Sequence, residues 1–311
     1  MAVITKITEY RAGGGWSPPG KAREACGRLE RGEILFFATT PFELPQQDRE
    51  FLLAQKQADS RFHKNISYRP KNDEIRGVER KGADDAGHRQ LQDIMRRYSA
   101  EVTRFTRRLL EPYAEKLTLD FASFRPLEEE GRNLPLKKRN DLLHVDAFPT
   151  RPTHGGRILR VFTNINPAES RRWLTGEPFD KVAPRFADKA GLPDFAYSAN
   201  SITGKWRRRG VKAMRSLGLP VADRSGYDRF MLHFHDWLKE NGAYQDEERT
   251  KAVQEFPPGC TWLVYTDGVP HAALSGRFAL EHTFIVPREA LVEPAAAPIT
   301  VLEKLSGKVL A

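Results

Sequence analysis

Near residue 118 the apolar pattern of this chain changes period, and that change limits what it can fold into. Upstream, Leu91, Ile94, Met95, Tyr98, Val102, Phe105 and Leu109 recur at three- and four-residue spacing. This is the stripe of a helix that buries one face. The spacing predicts a helix over 84–117, limited or bent by Pro112. Downstream, short apolar runs at 118–124, 142–147 and 157–165 are separated by Pro, Gly and Asn clusters, as strands are. Similar runs return at 261–266 and 277–286, after a basic, helix-leaning insertion over 167–256. Residues 33–38 read as a further strand, between Gly32 and Pro41, and 48–57 as a short helix. The Ala- and Pro-rich tail from Glu293 is expected to be loosely held. The pattern predicts an α+β chain with a mainly β core, a sandwich or barrel carrying helices on one side. Residues 1–118 form a mixed supporting region and 119–311 the core with its insertion, integrated as one domain.

Several classes are excluded or disfavoured. No run of about 18 apolar residues exists to span a membrane. The start, Met1-Ala-Val-Ile-Thr-Lys-Ile, lacks a basic segment followed by a long apolar one, so no secretory signal is expected. Cys26 and Cys260 are too few for a disulfide framework and read as small buried hydrophobes in a reducing, cytoplasmic setting. The net charge of +9 suggests an anionic partner: nucleic acid, phosphorylated lipid head groups or an acidic substrate. No zinc-ligand spacing or recognition-helix pattern supports nucleic acid.

The segment Asp141-Leu-Leu-His-Val-Asp-Ala-Phe carries the chemistry. On a strand, residues i and i+2 share a face, so His144 and Asp146 present an imidazole and a carboxylate side by side. A third ligand from a distant strand completes a facial triad with three open positions, the arrangement suited to iron(II) and oxygen. His271 is the candidate: the apolar run ends at Thr266, Asp267-Gly268 turns, and His271 starts the return. His233 and His235 lie in an amphipathic helix, about 200° apart around it, and cannot chelate one metal together. His154 reads as a loop residue; His63 and His88 read as structural or surface groups.

A diacid co-substrate such as 2-oxoglutarate needs a cation for its far carboxylate, and arginine suits this through paired hydrogen bonds. Arg160, Phe162, Asn164 and Asn166 share one strand face, opposite the apolar Leu159, Val161 and Ile165 and the small Thr163. Polar groups on a central strand are costly without partners, and a bound co-substrate is one. The candidates are Arg125, Arg160 and Arg277, with Asn164 beside Arg160 and Thr283 on the Arg277 face. In the insertion, Lys205, Trp206, Arg207, Arg208 and Arg209 open a stretch to Arg215 without an acidic residue. That stretch is a candidate dock for acidic sugar or phosphate, with Trp206 at a sugar ring or lipid interface.

The chain resembles the Kdo hydroxylases, bacterial oxygenases acting on 3-deoxy-D-manno-oct-2-ulosonic acid (Kdo) of lipopolysaccharide. The matching stretches are Lys64-Asn-Ile-Ser-Tyr-Arg-Pro-Lys, Ser123-Phe-Arg-Pro-Leu-Glu, Asp141-Leu-Leu-His-Val-Asp-Ala-Phe, Arg160-Val-Phe-Thr-Asn-Ile-Asn-Pro and His271-Ala-Ala-Leu-Ser-Gly. The resemblance implies a double-stranded β-helix (a jelly-roll, cupin-like core) with flanking helices and a helical insertion. It implies iron(II) on His144, Asp146 and His271, with 2-oxoglutarate and dioxygen as co-substrates. It implies hydroxylation of carbon 3 of Kdo in Kdo2-lipid A, at the cytoplasmic face of the inner membrane, with peripheral membrane contact. The alternatives are the same chemistry on another substrate, or a metal-free barrel that binds anionic glycans or nucleic acid.

Overall fold

A computed structural model describes residues 1–55, 65–78, 85–131, 134–201, 211, 214 and 221–311. The stripe at 91–109 forms helix Ala86–Leu109, with the Asp85 side chain accepting from the His88 N–H at its start. It ends at Leu109, earlier than the periodicity suggests, because Pro112 turns the chain through the short 3-10 helix Glu111–Tyr113. The strands in chain order are β1 Ile4–Lys6, β2 Tyr10–Arg11, β3 Gly15–Trp16, β4 Ile34–Phe37, β5 Ile66–Arg69, β6 Glu74–Arg76, β7 Thr118–Arg125, β8 Arg157–Asn164, β9 Arg171–Thr175, β10 Ala252–Phe256, β11 Thr261–Tyr265, β12 His271–Ser275 and β13 Ala279–Val286. They form an eight-stranded sheet in the order β1-β4-β11-β8-β13-β7-β5-β6 and a three-stranded sheet β10-β9-β12, with β2 and β3 as a separate ribbon. The two sheets face one another as a jelly roll.

Strand alternation divides the core. On the outer face of the large sheet, Leu159, Val161, Leu263, Leu280 and Phe284 pack against Leu91, Ile94, Tyr98 and Val102 of the 86–109 helix. On the inner face, Phe162, Trp262 and Val264 meet Trp173, Phe256 and Ala273 of the small sheet. A third cluster joins helices Phe179–Phe186, Leu192–Asn200, Gly226–Glu240 and Pro298–Ser306 to Leu143, Val145 and Ala272. The insertion therefore leans to helix, but both its ends are strands: β9 and β10 pair along their length and build the small sheet. The tail is held, contrary to expectation, because Ile299, Leu302 and Leu310 are buried in the helical cluster.

Two expected strands differ in detail. The run 277–286 starts only at Ala279, since the chain turns at Gly276 (φ 107°) and Phe278 (φ 62°), a left-handed backbone incompatible with a ladder. The 142–147 run is extended but forms no continuous ladder, its one bridge being His144 to His271. Its outer backbone groups are met by side chains instead. The Leu143 N–H donates to Gln245 Oε1 at 3.0 Å, and Gln245 Nε2 donates back to the Leu143 carbonyl at 3.0 Å.

Candidate metal centre and its pocket

The bridge at His144 sets the site. The His144 N–H donates to the His271 carbonyl (3.2 Å) and the His271 N–H to the His144 carbonyl (2.9 Å). A reciprocal pair of this kind places two side chains on one side of the ladder, and the rings lie 4.8 Å apart. The Asp146 N–H donates to the Thr266 carbonyl at 2.8 Å, a separate anchor outside that pairing that ties the segment to the end of β11. Leu143 and Val145 then point into the helical cluster while His144 and Asp146 point into the cavity. The turn before His271 is fixed from beneath. Buried Arg157 donates through Nε to Asp267 (2.9 Å), and a Cβ on Gly268 would fall 2.3 Å from Arg157 Nη2.

His144 Nε2 stands 3.8 Å from Asp146 Oδ1, and His271 Nε2 stands 4.0 Å from Asp146 Oδ2. His144 Nδ1 lies 2.7 Å from the Leu142 carbonyl and His271 Nδ1 lies 2.9 Å from the Val269 carbonyl. A carbonyl only accepts, so both rings carry their proton on Nδ1 and leave Nε2 as a lone pair, the tautomer that metal-binding imidazoles adopt. Arg160 Nη2 is 3.0 Å from Asp146 Oδ2 as an ion pair, but off the hydrogen-bonding angle, so this buried oxygen accepts no hydrogen bond. A buried carboxylate with one oxygen free of hydrogen bonds, facing two lone-pair imidazoles, is the donor set expected of a divalent transition metal. The residues fit iron(II).

A further imidazole was not anticipated at the site. His233 and His235 do diverge: His233 stacks on Phe195, whereas His235 sits 4.7 Å from the His144 ring. His235 forms, with His144 and Asp146, a cluster whose potential ligand atoms lie within 4.8 Å of one another. Its Nδ1, 2.7 Å from the Val145 carbonyl, also holds the outer edge of the 142–147 segment. The divergence of 233 and 235 excludes joint chelation by those two but says nothing about either alone. The position of the 226–240 helix decides that, and it is set by long-range packing.

The cavity of about 200 Å³ is lined by His144, Asp146, His235 and His271 together with Arg125, Arg160, Arg171, Lys239, Phe162 and Trp173. Arg125 Nη2 pairs with Glu281 at 2.5 Å and Arg160 Nη1 with the same carboxylate at 3.3 Å. Arg171 donates to the Gly276 carbonyl at 2.6 Å and lies 3.6 Å from Glu129. The buried Nε atoms of Arg125, Arg160 and Arg171 have no hydrogen-bond partner. Among the described residues, Arg125, Lys137, Arg160, Arg171 and Lys239 line the cavity, against Asp146 as the lining carboxylate. A bound divalent ion would widen that excess, so the pocket suits a dianion.

The other expected residues fall elsewhere. Arg277 lies on the turn, half exposed, 3.9 Å from Glu169. Asn164 is buried and structural, its amide donating to the Glu169 and Phe256 carbonyls. Thr283 is on the inner face opposite Arg160, but its hydroxyl donates to Glu281 at 2.5 Å. Lys205, Trp206, Arg207, Arg208 and Arg209 lie outside the described residues. Arg171 and Lys239 were missed. Arg171 follows an Asn-Pro loop in a stretch that reads as helical insertion, and Lys239 is i+4 from His235, a spacing that could have paired them.

Burial lowers the affinity of His144 for a proton well below its ordinary 6.5, helped by His271, His235 and Lys239. Burial also lowers that of His271 and His235 and takes His282, bonded to Ser99 on the outer face, down to about 4. The Asp146 carboxyl is pushed up by burial, but Arg160 and the two imidazoles reverse this and hold it well below the carboxylate range. For groups with depressed values the unfolded chain binds more protons, so stability rises with pH across the interval. The imidazole contribution is complete above 6.5 and is lost as pH falls, for His282 down to about 4. The melting temperature of metal-free protein is therefore expected to be flat between pH 7 and 8 and to fall from pH 6.5 towards 4. Thermal scans across that range check this; a midpoint constant from pH 7 to 5 would contradict it.

A family model for 3-deoxy-D-manno-oct-2-ulosonic acid (Kdo) hydroxylase matches residues 16–309. Among solved structures, the chain is similar to the Kdo hydroxylase KdoO, a non-haem Fe(II), α-ketoglutarate-dependent dioxygenase, in complex with α-ketoglutarate and Fe(III). That similarity has 33% identity over 99% of this chain and 97% of the other, with a TM-score of 0.81. The apo form gives the same identity and coverage with a TM-score of 0.82, and the cobalt(II) complex 0.81. No curated protein sequence matches the chain.

Proposed function

The chain belongs to the Kdo hydroxylase family, and from that premise we propose that it hydroxylates carbon 3 of Kdo in Kdo2-lipid A at a centre held by His144, Asp146 and His271. It is a non-haem iron(II), 2-oxoglutarate-dependent dioxygenase. The observation that carries the site assignment is the reciprocal His144–His271 backbone pair, which turns two lone-pair Nε2 atoms toward the Asp146 carboxylate, one to each oxygen. Bound there, iron with 2-oxoglutarate and dioxygen supplies an oxidative decarboxylation that yields succinate and carbon dioxide and leaves one oxygen atom on the sugar.

The chain's own residues orient and exclude. Arg125 and Arg160 receive the far carboxylate of 2-oxoglutarate, while Glu281 fixes both guanidinium groups between turnovers. Trp173 stacks on His271 with ring centres 5.1 Å apart and joins Phe162 and Trp262 in an apolar wall. That wall keeps water from one side of the centre and strengthens every electrostatic contact within it. Mass spectrometry of Kdo2-lipid A incubated with enzyme, iron(II) and 2-oxoglutarate tests the reading. The expected product carries one added oxygen on the sugar at carbon 3, with stoichiometric succinate. Succinate release stimulated only by peptides or small acids would replace the substrate.

The docking of an acidic glycolipid at the inner membrane rests on charge. No helix among the described residues is long and apolar enough to cross a membrane. Near the cavity, Arg151 lies over the Phe121 and Phe148 rings at 3.9 and 4.4 Å, and Arg69 over Phe121 at 4.9 Å. Asp120 is the carboxylate paired with Arg151. With the basic 205–215 stretch, these groups supply cations for phosphate. Each such residue contributes about 1 kcal/mol near an anionic surface, within a Debye length of roughly 8 Å. Reversing Arg207, Arg208 and Arg209 to Glu is expected to weaken binding to Kdo2-lipid A vesicles most strongly at low salt, with iron content retained. Vesicle sedimentation across a salt series checks it, and wild-type-like binding by the folded variant would remove this cluster from the dock.

A further inference from the structure

The pocket has a second cationic pole on its helical side, which neither the metal ligands nor the arginine wall uses. His235 and Lys239 are i and i+4 on the 226–240 helix and share the face turned to the cavity. Lys239 is only 4% exposed. Its Nζ has a single hydrogen-bond partner among the described residues, the Lys137 carbonyl at 3.2 Å. An ammonium carries three donors, so donor capacity remains free. Lys137 itself is neutralised by Asp236 at 2.9 Å, whereas Lys239 makes no ion pair with any described residue. Burying an unpaired ammonium opposes folding, and a methionine would fill the same space without that cost. The charge is explained if an anion arrives beside it.

2-Oxoglutarate is not that anion. One of its carboxylates belongs at the metal and the other at Arg125 and Arg160, on the large sheet. The sugar acid remains. In a 3-deoxy-2-ulosonic acid the carboxylate is carbon 1 and the reacting carbon is carbon 3, only two bonds away. When carbon 3 faces the metal, the carboxylate must lie within the same cavity. The helical wall beside His144 and His235 is where Lys239 stands. We propose that Lys239 pairs with the carboxylate of the sugar substrate, fixes carbon 3 towards the metal, and makes the enzyme specific for ulosonic acids over neutral sugars. This rests on the reading of Kdo as substrate.

The test compares Kdo2-lipid A with the same glycolipid methyl-esterified at its Kdo carboxyls, using iron-loaded wild type, Lys239→Met and Lys239→Arg. Wild type is expected to prefer the acid by roughly 30-fold or more in kcat/KM, the size of losing a buried charge partner. Lys239→Met should lose that preference by falling on the acid while holding on the ester, and Lys239→Arg should keep part of it. Glycolipid binding to the oxygen-free enzyme with 2-oxoglutarate should show the same pattern, so the effect is read apart from turnover. The melting temperature of Lys239→Met should hold or rise, because an unpaired buried charge has gone. If Lys239 were only a strut to the Lys137 carbonyl, melting would drop and acid and ester would decline together. That result, or an unchanged acid-to-ester ratio in Lys239→Met, overturns the proposal. Wild type that modifies neither glycolipid overturns the substrate reading instead, and the proposal with it.

Discussion

Replacing His144, Asp146 or His271 singly with alanine is expected to abolish Kdo hydroxylation and 2-oxoglutarate consumption together. Each change removes an atom of the proposed ligand set: Nε2 of His144, Nε2 of His271, or the Asp146 carboxylate, one oxygen of which accepts no hydrogen bond. Removing a residue that only orients a ligand typically costs about 10–100-fold in metal affinity. Losing a ligand itself should exceed that range, so the variants should purify without iron. His235→Ala is the informative control. Its Nδ1 holds the Val145 carbonyl, within the His144–Asp146 segment, so its loss should fall inside that orienting range. Equilibrium titration of apoprotein with iron(II) or cobalt(II) under nitrogen separates the two behaviours. If His235→Ala lost the metal while His271→Ala kept it, the third ligand would come from the 226–240 helix rather than from β12.

The second large effect is expected at the arginine wall. Arg125→Met removes a largely buried guanidinium whose Nε is unpartnered and whose Nη2 is held by Glu281. The carboxylate left behind keeps Arg160 at 3.3 Å and the Thr283 hydroxyl at 2.5 Å, so the fold retains its pairing. Truncating one member of a buried charge pair costs about 2–5 kcal/mol. The apparent KM for 2-oxoglutarate should rise by roughly 30-fold or more on that scale, with the KM for glycolipid little changed. Arg160→Met should raise the same constant and also weaken metal binding, because Arg160 stands 3.0 Å from Asp146 Oδ2. Arg277→Met should change neither, since the side chain is on the exposed turn after Gly276. Steady-state kinetics with 2-oxoglutarate varied at saturating glycolipid gives the comparison. An unchanged KM in both Arg125→Met and Arg160→Met would move the co-substrate to Arg171.

Local periodicity by itself determined the groups that share a face. The three- and four-residue stripe from Leu91 to Leu109 made a helix, and the alternation from Leu159 to Asn164 put Arg160 and Phe162 inside the jelly roll. The same alternation paired His144 with Asp146 even without a continuous ladder, because side-chain direction in extended chain depends only on φ and ψ. Periodicity also placed Thr283 on the inner face opposite Arg160, but not the carboxylate of Glu281 that occupies its hydroxyl.

Only the tertiary structure decided which groups meet across distance. The left-handed turn at Gly276 and Phe278 swung Arg277 out of the sheet. Docking of the 226–240 helix on Leu143 and Val145 brought His235 and Lys239 to the cavity. Strand β9, hidden in a stretch that reads as helical insertion, carried Arg171 to the cavity. The physical reason is one of range. A residue's face follows from the dihedral angles of its own few neighbours, whereas its partners follow from how separate elements bury their apolar surfaces against one another, and that burial is non-directional.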